Sequence, residues 1–177
     1  MNEKNKKELM FILPKLRRYC YGLTGNKDQG DDLLHGSVVK ILAKFNLLKI
    51  ENLQAYMYKI ISNLWKDELR KKYKSKEIHV DDFIMDQVPD NNINFDKVSY
   101  ISNNDKINQA INTLTLKLRE VLILIVSEKK TYKEASEILQ IPIGTVMSRL
   151  HEARRKILEN KDQNNTQNKI YDKNWRL

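Results

Sequence analysis

Residues 131–156 read TYKEASEILQIPIGTVMSRLHEARRK. Thr131 followed three residues later by Glu134 is a capping box, so a helix starts there. Ala135, Ile138 and Leu139 give that helix one apolar stripe. Pro142 lacks an N–H and cannot continue the helix, but it suits the first turn of a following one. From Gly144 onward the apolar positions are Val146, Leu150, Ala153 and Ile157, which share one helical face. At about 100° per residue the opposite face carries Ser148, Glu152 and Arg155, flanked by Thr145 and His151, with Met147, Arg149 and Arg154 on its shoulders. Two short helices around a tight turn, the second with polar and basic residues outward, have the layout of a helix-turn-helix that docks in a DNA major groove. Short polar side chains near a helix N-terminus reach base edges, and shoulder arginines reach phosphates.

The whole chain agrees with a polyanionic partner. Its 177 residues hold 32 Lys and Arg against 23 Asp and Glu, a net charge of +9, which suits nucleic acid or an anionic surface. Five Gly and three Pro leave little punctuation, and that favours long helices over sheets. The lone Cys20 excludes an internal disulfide and suggests a reducing cytoplasm; it sits among apolar helix residues, where it is expected to be core. His35, His79 and His151 stand apart from other ligand types, so neither a metal nor another cofactor is expected. The apolar run 9–13 is too short for a signal peptide and nothing approaches transmembrane length, so no membrane partner is expected. No carboxylate cluster, Gly-rich phosphate loop or Ser/Cys–His arrangement supports an enzyme.

Upstream, residues 8–74 read as a three-helix unit. The expected helices are 9–23, then one capped by Asp28 and running to about Phe45 with Leu33, Leu34, Val38, Ile41 and Leu42 inward, then one capped by Asn52 over 53–73 with Leu53, Met57, Ile60 and Leu64 inward. The third helix has a basic C-terminal half, with Lys59, Lys66 and Arg70 among its cations, interleaved with Tyr56, Tyr58, Trp65 and Tyr73. Cations hold phosphates and aromatic faces stack on bases, which suits melted strand; on this helix alone, inward-packed aromatics are the simpler reading. Asn63, Asp67 and Arg70 share one side, and Asp67–Arg70 permits an ion pair. Residues 75–104 hold Glu77, Asp81, Asp82, Asp86, Asp90 and Asp96 and read as an acidic linker. Residues 105–159 form a four-helix unit ending in the opening motif, and 160–177, with Trp175, read as a frayed tail. The fold class is all-α: two small helical domains joined by a flexible acidic linker.

GNKDQGDDLLHGSVVKI with NLQAYMYKIISNLWKDELRKK, and LREVLILIVSEKKTYKEASEILQIPIGTVMSRLHEARRKI, resemble regions 2 and 4 of the extracytoplasmic-function sigma factors of the sigma-70 family. The resemblance covers residues 9–74 and 107–158. It implies a non-catalytic subunit that binds core RNA polymerase and promoter DNA, reading the −10 element as melted single strand and the −35 element as duplex. By position, Asp31, Asp32, Leu34, His35 and Ser37 would lie at the polymerase contact. Lys59, Asn63, Lys66 and Arg70 would hold the −10 strand beside a base-capturing loop at 45–52. Thr145, Met147, Ser148, Arg149, His151, Glu152, Arg154 and Arg155 would face the −35 duplex. The family often has an anti-sigma partner. The chain departs from the family at His35-Gly36, where Gln-Glu is usual, at Gln140, where a turn Gly is usual, and at Met147 and Glu152, where a basic residue is common. Gly36 costs its helix about 1 kcal/mol, and Gln140 requires a left-handed or shifted turn. A stand-alone helix-turn-helix regulator is the alternative, but it needs no single-strand platform.

Overall fold

The computed structural model describes the backbone of residues 3–45, 50–74 and 105–173, and side chains at residues 3, 5–43, 45, 50–72 and 108–159. Seven α-helices follow in order: α1 Glu3–Thr24, α2 Lys27–Lys44, α3 Leu53–Lys74, α4 Asp105–Asn112, α5 Leu116–Leu122, α6 Tyr132–Leu139 and α7 Ile143–Lys173. A π-helical turn, Ile123–Ser127, continues α5. There is no strand among the described residues.

Local chemistry accounts for the element ends. Gly25, at φ 65°, ends α1, its N–H donating to the Tyr21 carbonyl at 2.8 Å; glycine takes this left-handed angle without Cβ strain. The cap of α2 is Asn26 rather than the expected Asp28. Asn26 is extended and its side chain accepts from the Gln29 N–H at 2.9 Å, which leaves Asp28 inside the first turn, where a carboxylate suits the helix dipole. Asn52 caps α3 as expected, accepting from the Ala55 N–H at 2.9 Å. The Thr131–Glu134 capping box is complete in both directions. Gln140 adopts φ 56°, ψ 44°, so the chain keeps the left-handed turn and places a non-glycine in it. Helix α7 runs on to Lys173 where a frayed tail was expected past Glu159. Nothing after Gly144 in that helix is Pro or Gly, so nothing stops it. The expected linker at 75–104, Trp175, and residues 46–49 of the base-capturing loop lie outside the described residues.

Helices α1–α3 pack on one another, as do α4–α7. The two groups are in contact: α6 lies on α3, and α1 meets both α5 and the π turn. One apolar cluster runs through both groups, from Leu16, Leu23, Met57 and Ile61 to Leu114, Val121, Ile123 and Leu150. Cys20 is fully buried within it, and burial pushes its thiol pKa up. Leu42, expected inward, is exposed, and Leu64 is half-buried. Ile61, Trp65 and Leu69 complete the inner face of α3 instead.

Charged groups cross the contact between the two groups of helices. Glu128 has a fully buried side chain. It accepts from Arg18 Nε at 2.7 Å and from the Tyr58 hydroxyl at 2.7 Å. Burial and this hydrogen bond hold the Tyr58 pKa well above the usual phenol range, and the same carboxylate raises that of Arg18. Glu120, also buried, accepts from Ser62 Oγ at 2.5 Å and from Lys66 Nζ at 3.1 Å. Arg119 reaches across to donate to the Leu23 carbonyl at 2.9 Å. It also donates to the carbonyls of Asn112 and Leu114, at 2.7 and 3.0 Å. Lys130 donates to Gln54 Oε1 at 3.1 Å and sits 5.7 Å above the Tyr58 ring.

Candidate nucleic-acid interface

The turn that aims α7 is built from short hydrogen bonds. Ser136 Oγ donates to the Ile141 carbonyl at 2.5 Å, and the Ile141 N–H returns to the Ser136 carbonyl at 3.2 Å. The Pro142 carbonyl then accepts from the N–H groups of Thr145 and Val146, which starts α7 directly after the proline. Val146, Leu150 and Ala153 are buried and hold α7 against its neighbours. The opposite face is left to solvent. Met147, Ser148, His151, Glu152, Arg154 and Arg155 are exposed, and Thr145 and Arg149 are half-buried. All eight residues expected at a duplex therefore lie on the free side of one helix or its shoulders.

Their immediate partners differ. Ser148 Oγ donates to the Thr145 carbonyl at 3.1 Å. Glu152 pairs with Lys156 at 3.3 Å, and Arg155 with Glu159 at 2.5 Å. These ion pairs are solvent-exposed and hold little energy, so a phosphate or a base edge can displace them. Among the described residues His151, Arg149 and Arg154 have no ion pair. The surface thus offers an apolar thioether, a hydroxyl, an imidazole and a carboxylate between arginines.

On α3, Lys59, Asn63, Lys66 and Arg70 follow one another at helical spacing along one side. Asn63 and Arg70 are exposed, with Arg70 paired to Asp67 at 3.2 Å as expected. Lys59 and Lys66 are half-buried, and Lys66 is held by Glu120 of the other group. The aromatic platform is smaller than expected. Tyr58 and Trp65 are buried; Tyr58 packs edge-on against Tyr19, with ring centroids 4.9 Å apart. Both belong to the core because they fall on the same helical face as Met57 and Ile61. Tyr56 remains half-buried beside Lys59 in a cleft of about 350 Å³, whose other wall is Glu137 and Ile138 of α6. Tyr73 lies among residues whose side chains are not described.

On α2, Asp32 and His35 are exposed. Asp31 is half-buried, accepting from the Tyr21 hydroxyl at 2.7 Å and pairing with Arg17 at 3.2 Å. Leu34 and Ser37 are buried, Ser37 Oγ donating to the Leu34 carbonyl at 2.7 Å. Asp31, Asp32 and His35 are thus available to a partner protein, whereas Leu34 and Ser37 shape the helix from beneath. Gly36 is exposed with open space around it.

Sequence reasoning missed Glu120, Glu128, Arg119 and Arg18. A signal for the first was present: Glu120 falls between Leu116 and Ile123 on one helical face, so its carboxylate had to be buried. Among the described residues no three His, Cys, Asp or Glu side chains converge as metal ligands, and no helix is long and apolar enough to cross a membrane.

Comparison with known proteins addresses both surfaces. Residues 104–157 match the family model for sigma-70 region 4, and residues 10–62 match the sigma2 domain of PhyR. The chain is 26% identical to the ECF RNA polymerase sigma factor EcfG of Rhodopseudomonas palustris, over 85% of this chain and 81% of that one. It is 28% identical to the ECF RNA polymerase sigma factor SigW of Bacillus subtilis, over 79% of each. Among solved structures, the sigma factor RpoE of Bartonella quintana, determined in complex with the anti-sigma factor NepR, superposes with a TM-score of 0.74 at 27% identity. That match covers 91% of this chain and 98% of that one.

Proposed function

The chain belongs to the sigma-70 family of RNA polymerase sigma factors, in its extracytoplasmic-function group, and from that premise we propose how its residues divide the work of promoter recognition. As a sigma factor it gives core RNA polymerase its promoter specificity at transcription initiation. Its contribution is recognition rather than catalysis, exercised in the cytoplasm where polymerase meets DNA.

The observation that carries the division of labour is the exposed face of α7. Region 4 enters the −35 major groove with this face. Met147, Ser148, His151 and Glu152 meet base edges, while Thr145, Arg149, Arg154 and Arg155 hold backbone phosphates. Region 2 takes the melted −10 strand along Lys59, Asn63, Lys66 and Arg70, with the cleft at Tyr56 beside the base-capturing loop. Capturing an extruded base requires a pocket that compensates its lost stacking. Core polymerase docks on α2 at Asp31, Asp32 and His35, over Leu34 and Ser37. The likeness to an anti-sigma-bound relative supports an anti-sigma partner for this chain as well.

Transcript sequencing with purified core polymerase, this chain and its own genomic DNA tests the function. Discrete start sites that require the chain are expected, and uniform initiation with and without it would sink the reading. Two variants test the residue roles. Arg149→Ala is expected to weaken duplex binding and reduce the salt slope by about one, and an unchanged slope removes Arg149 from the phosphate contacts. Asn63→Ala is expected to spare −35 duplex binding while impairing open-complex formation, and equal loss of both contradicts the division.

A further inference from the structure

We propose that Glu152 is a specificity determinant of the −35 contact: its carboxylate accepts from the exocyclic amine of a cytosine and disfavours the other three bases at that step. The inference rests on the placement of α7 in the −35 groove and adds base chemistry to it. Four side chains of α7 are placed at base edges, and three of them are permissive. Met147, 52% exposed, carries a thioether that is only a weak acceptor. The Ser148 hydroxyl donates to the Thr145 carbonyl at 3.1 Å in the free chain; a hydroxyl both donates and accepts, so it suits any base. The exposed His151 imidazole likewise offers a donor and an acceptor. Glu152 differs, because an ionised carboxylate only accepts.

The major groove supplies few partners for such a group. Its donors are the amines of adenine and cytosine; guanine presents two acceptors, and thymine an acceptor and a methyl group. A carboxylate facing guanine or thymine is left without a donor, and binding weakens. The two amines are not equivalent. Across an A·T pair the adenine amine lies between two acceptors, its own N7 and thymine O4, whereas the cytosine amine has one, guanine O6, on one side only. The second carboxylate oxygen therefore meets less repulsion beside cytosine. The free chain holds the group ready. Glu152 Oε1 pairs with Lys156 Nζ at 3.3 Å, the side chains being 48% and 38% exposed. Such a pair holds little energy, so docking exchanges it: the carboxylate takes the amine, and the freed ammonium one turn on takes a phosphate. Arg155, on the same line of the helix, is held by Glu159 at 2.5 Å and leaves the carboxylate to Lys156.

The test uses holoenzyme assembled from core polymerase and the full chain, acting on a promoter pool randomised over the −35 region. Each template carries a transcribed barcode, so sequencing the transcripts identifies the templates that fired. The wild-type chain is expected to show a position where cytosine is favoured at least about tenfold over guanine and thymine. Glu152 is exposed, so its substitution leaves the fold intact. Glu152→Gln is expected to move the preference at that position from cytosine to adenine, because a carboxamide both accepts from N6 and donates to N7. Glu152→Ala is expected to flatten the same position and leave the others as they were. A cytosine preference that survives both substitutions overturns the proposal, and so does a wild-type preference for adenine that Glu152→Ala erases. Templates that fire irrespective of the randomised region would instead remove α7 from the −35 groove, and the inference with it.

Discussion

Replacing Thr131 with alanine removes the side-chain half of the capping box that starts the helix-turn-helix. Thr131 Oγ1 accepts from the Glu134 N–H at 3.2 Å, and Glu134 accepts from the Thr131 N–H at 2.8 Å. The variant is expected to lose about 1 kcal/mol of stability at neutral pH, measured by denaturant unfolding. The Thr131 backbone N–H, and then its hydroxyl, hold the Glu134 carboxyl below its usual range. A folded-state pKa that is depressed adds stability above the unfolded pKa, and that stability is lost as pH falls through the folded value. The gap between wild type and variant is therefore expected to narrow in acid; a gap independent of pH would separate the cap from Glu134. Tyr19 makes the opposite case. Its hydroxyl is buried with no hydrogen-bond partner among the described residues, and burial raises its pKa well above the usual phenol range. Tyr19→Phe is expected to keep stability or raise it by up to about 1 kcal/mol, while a loss of that size would reveal a partner for the hydroxyl.

Helices α3 and α5 meet through the pair Lys66–Glu120, and at this scale the cost of breaking it depends on what is left behind. Lys66→Met strands a buried carboxylate with Ser62 as its remaining partner, and is expected to cost about 3 kcal/mol. Glu120→Gln removes the stranded charge, so the double variant is expected to recover much of that loss in a double-mutant cycle. Additive losses would mean that the two side chains do not interact in solution. The elements themselves were largely legible in the sequence. The capping box, Asn52, and the stripe Val146–Leu150–Ala153 each state their role within a few residues, because caps and periodicity are local. The face of α7 followed from the same periodicity. What failed was non-local. The one local exception is the start of α2, where Asp28 and Asn26 compete for one cap and the backbone angle at Asn26 decides between them. Tyr58 and Trp65 alternate with lysines and so resemble a stacking platform, but only the neighbouring helices show which face is buried. Arg119 and Glu128 look like surface charges until the partners that satisfy them, up to 110 residues away, are in view, and the position of Glu120 on an apolar face signals its burial but not its partners.

Over the whole molecule, two sequence units share one apolar cluster and three buried charged residues. Such sharing ties their stabilities together. Thermal unfolding of a Trp175→Phe chain, followed by circular dichroism and by the fluorescence of its remaining Trp65, is expected to give coincident, single transitions. Separate transitions for the two probes would mean that the units fold independently. The sequence suggested two domains on a tether; their contact was not legible, since each unit's exposed face looks equally suited to solvent or to a neighbour.

The Arg119 guanidinium has a consequence for how these units can be exchanged among relatives. It gathers the carbonyls of Leu23, Asn112 and Leu114 around one planar cation. One acceptor comes from the end of the first helix, two from the turn between α4 and α5. Main-chain carbonyls are supplied by any residue, so Leu23 may vary in identity without disturbing the contact, whereas its backbone position may not. A chimera that grafts this region 4 onto a foreign region 2 inherits a cation whose third acceptor depends on where the host ends its first helix. Compatibility between modules then depends on helix length, set by the left-handed glycine at position 25, as well as on the side chains that meet across the contact.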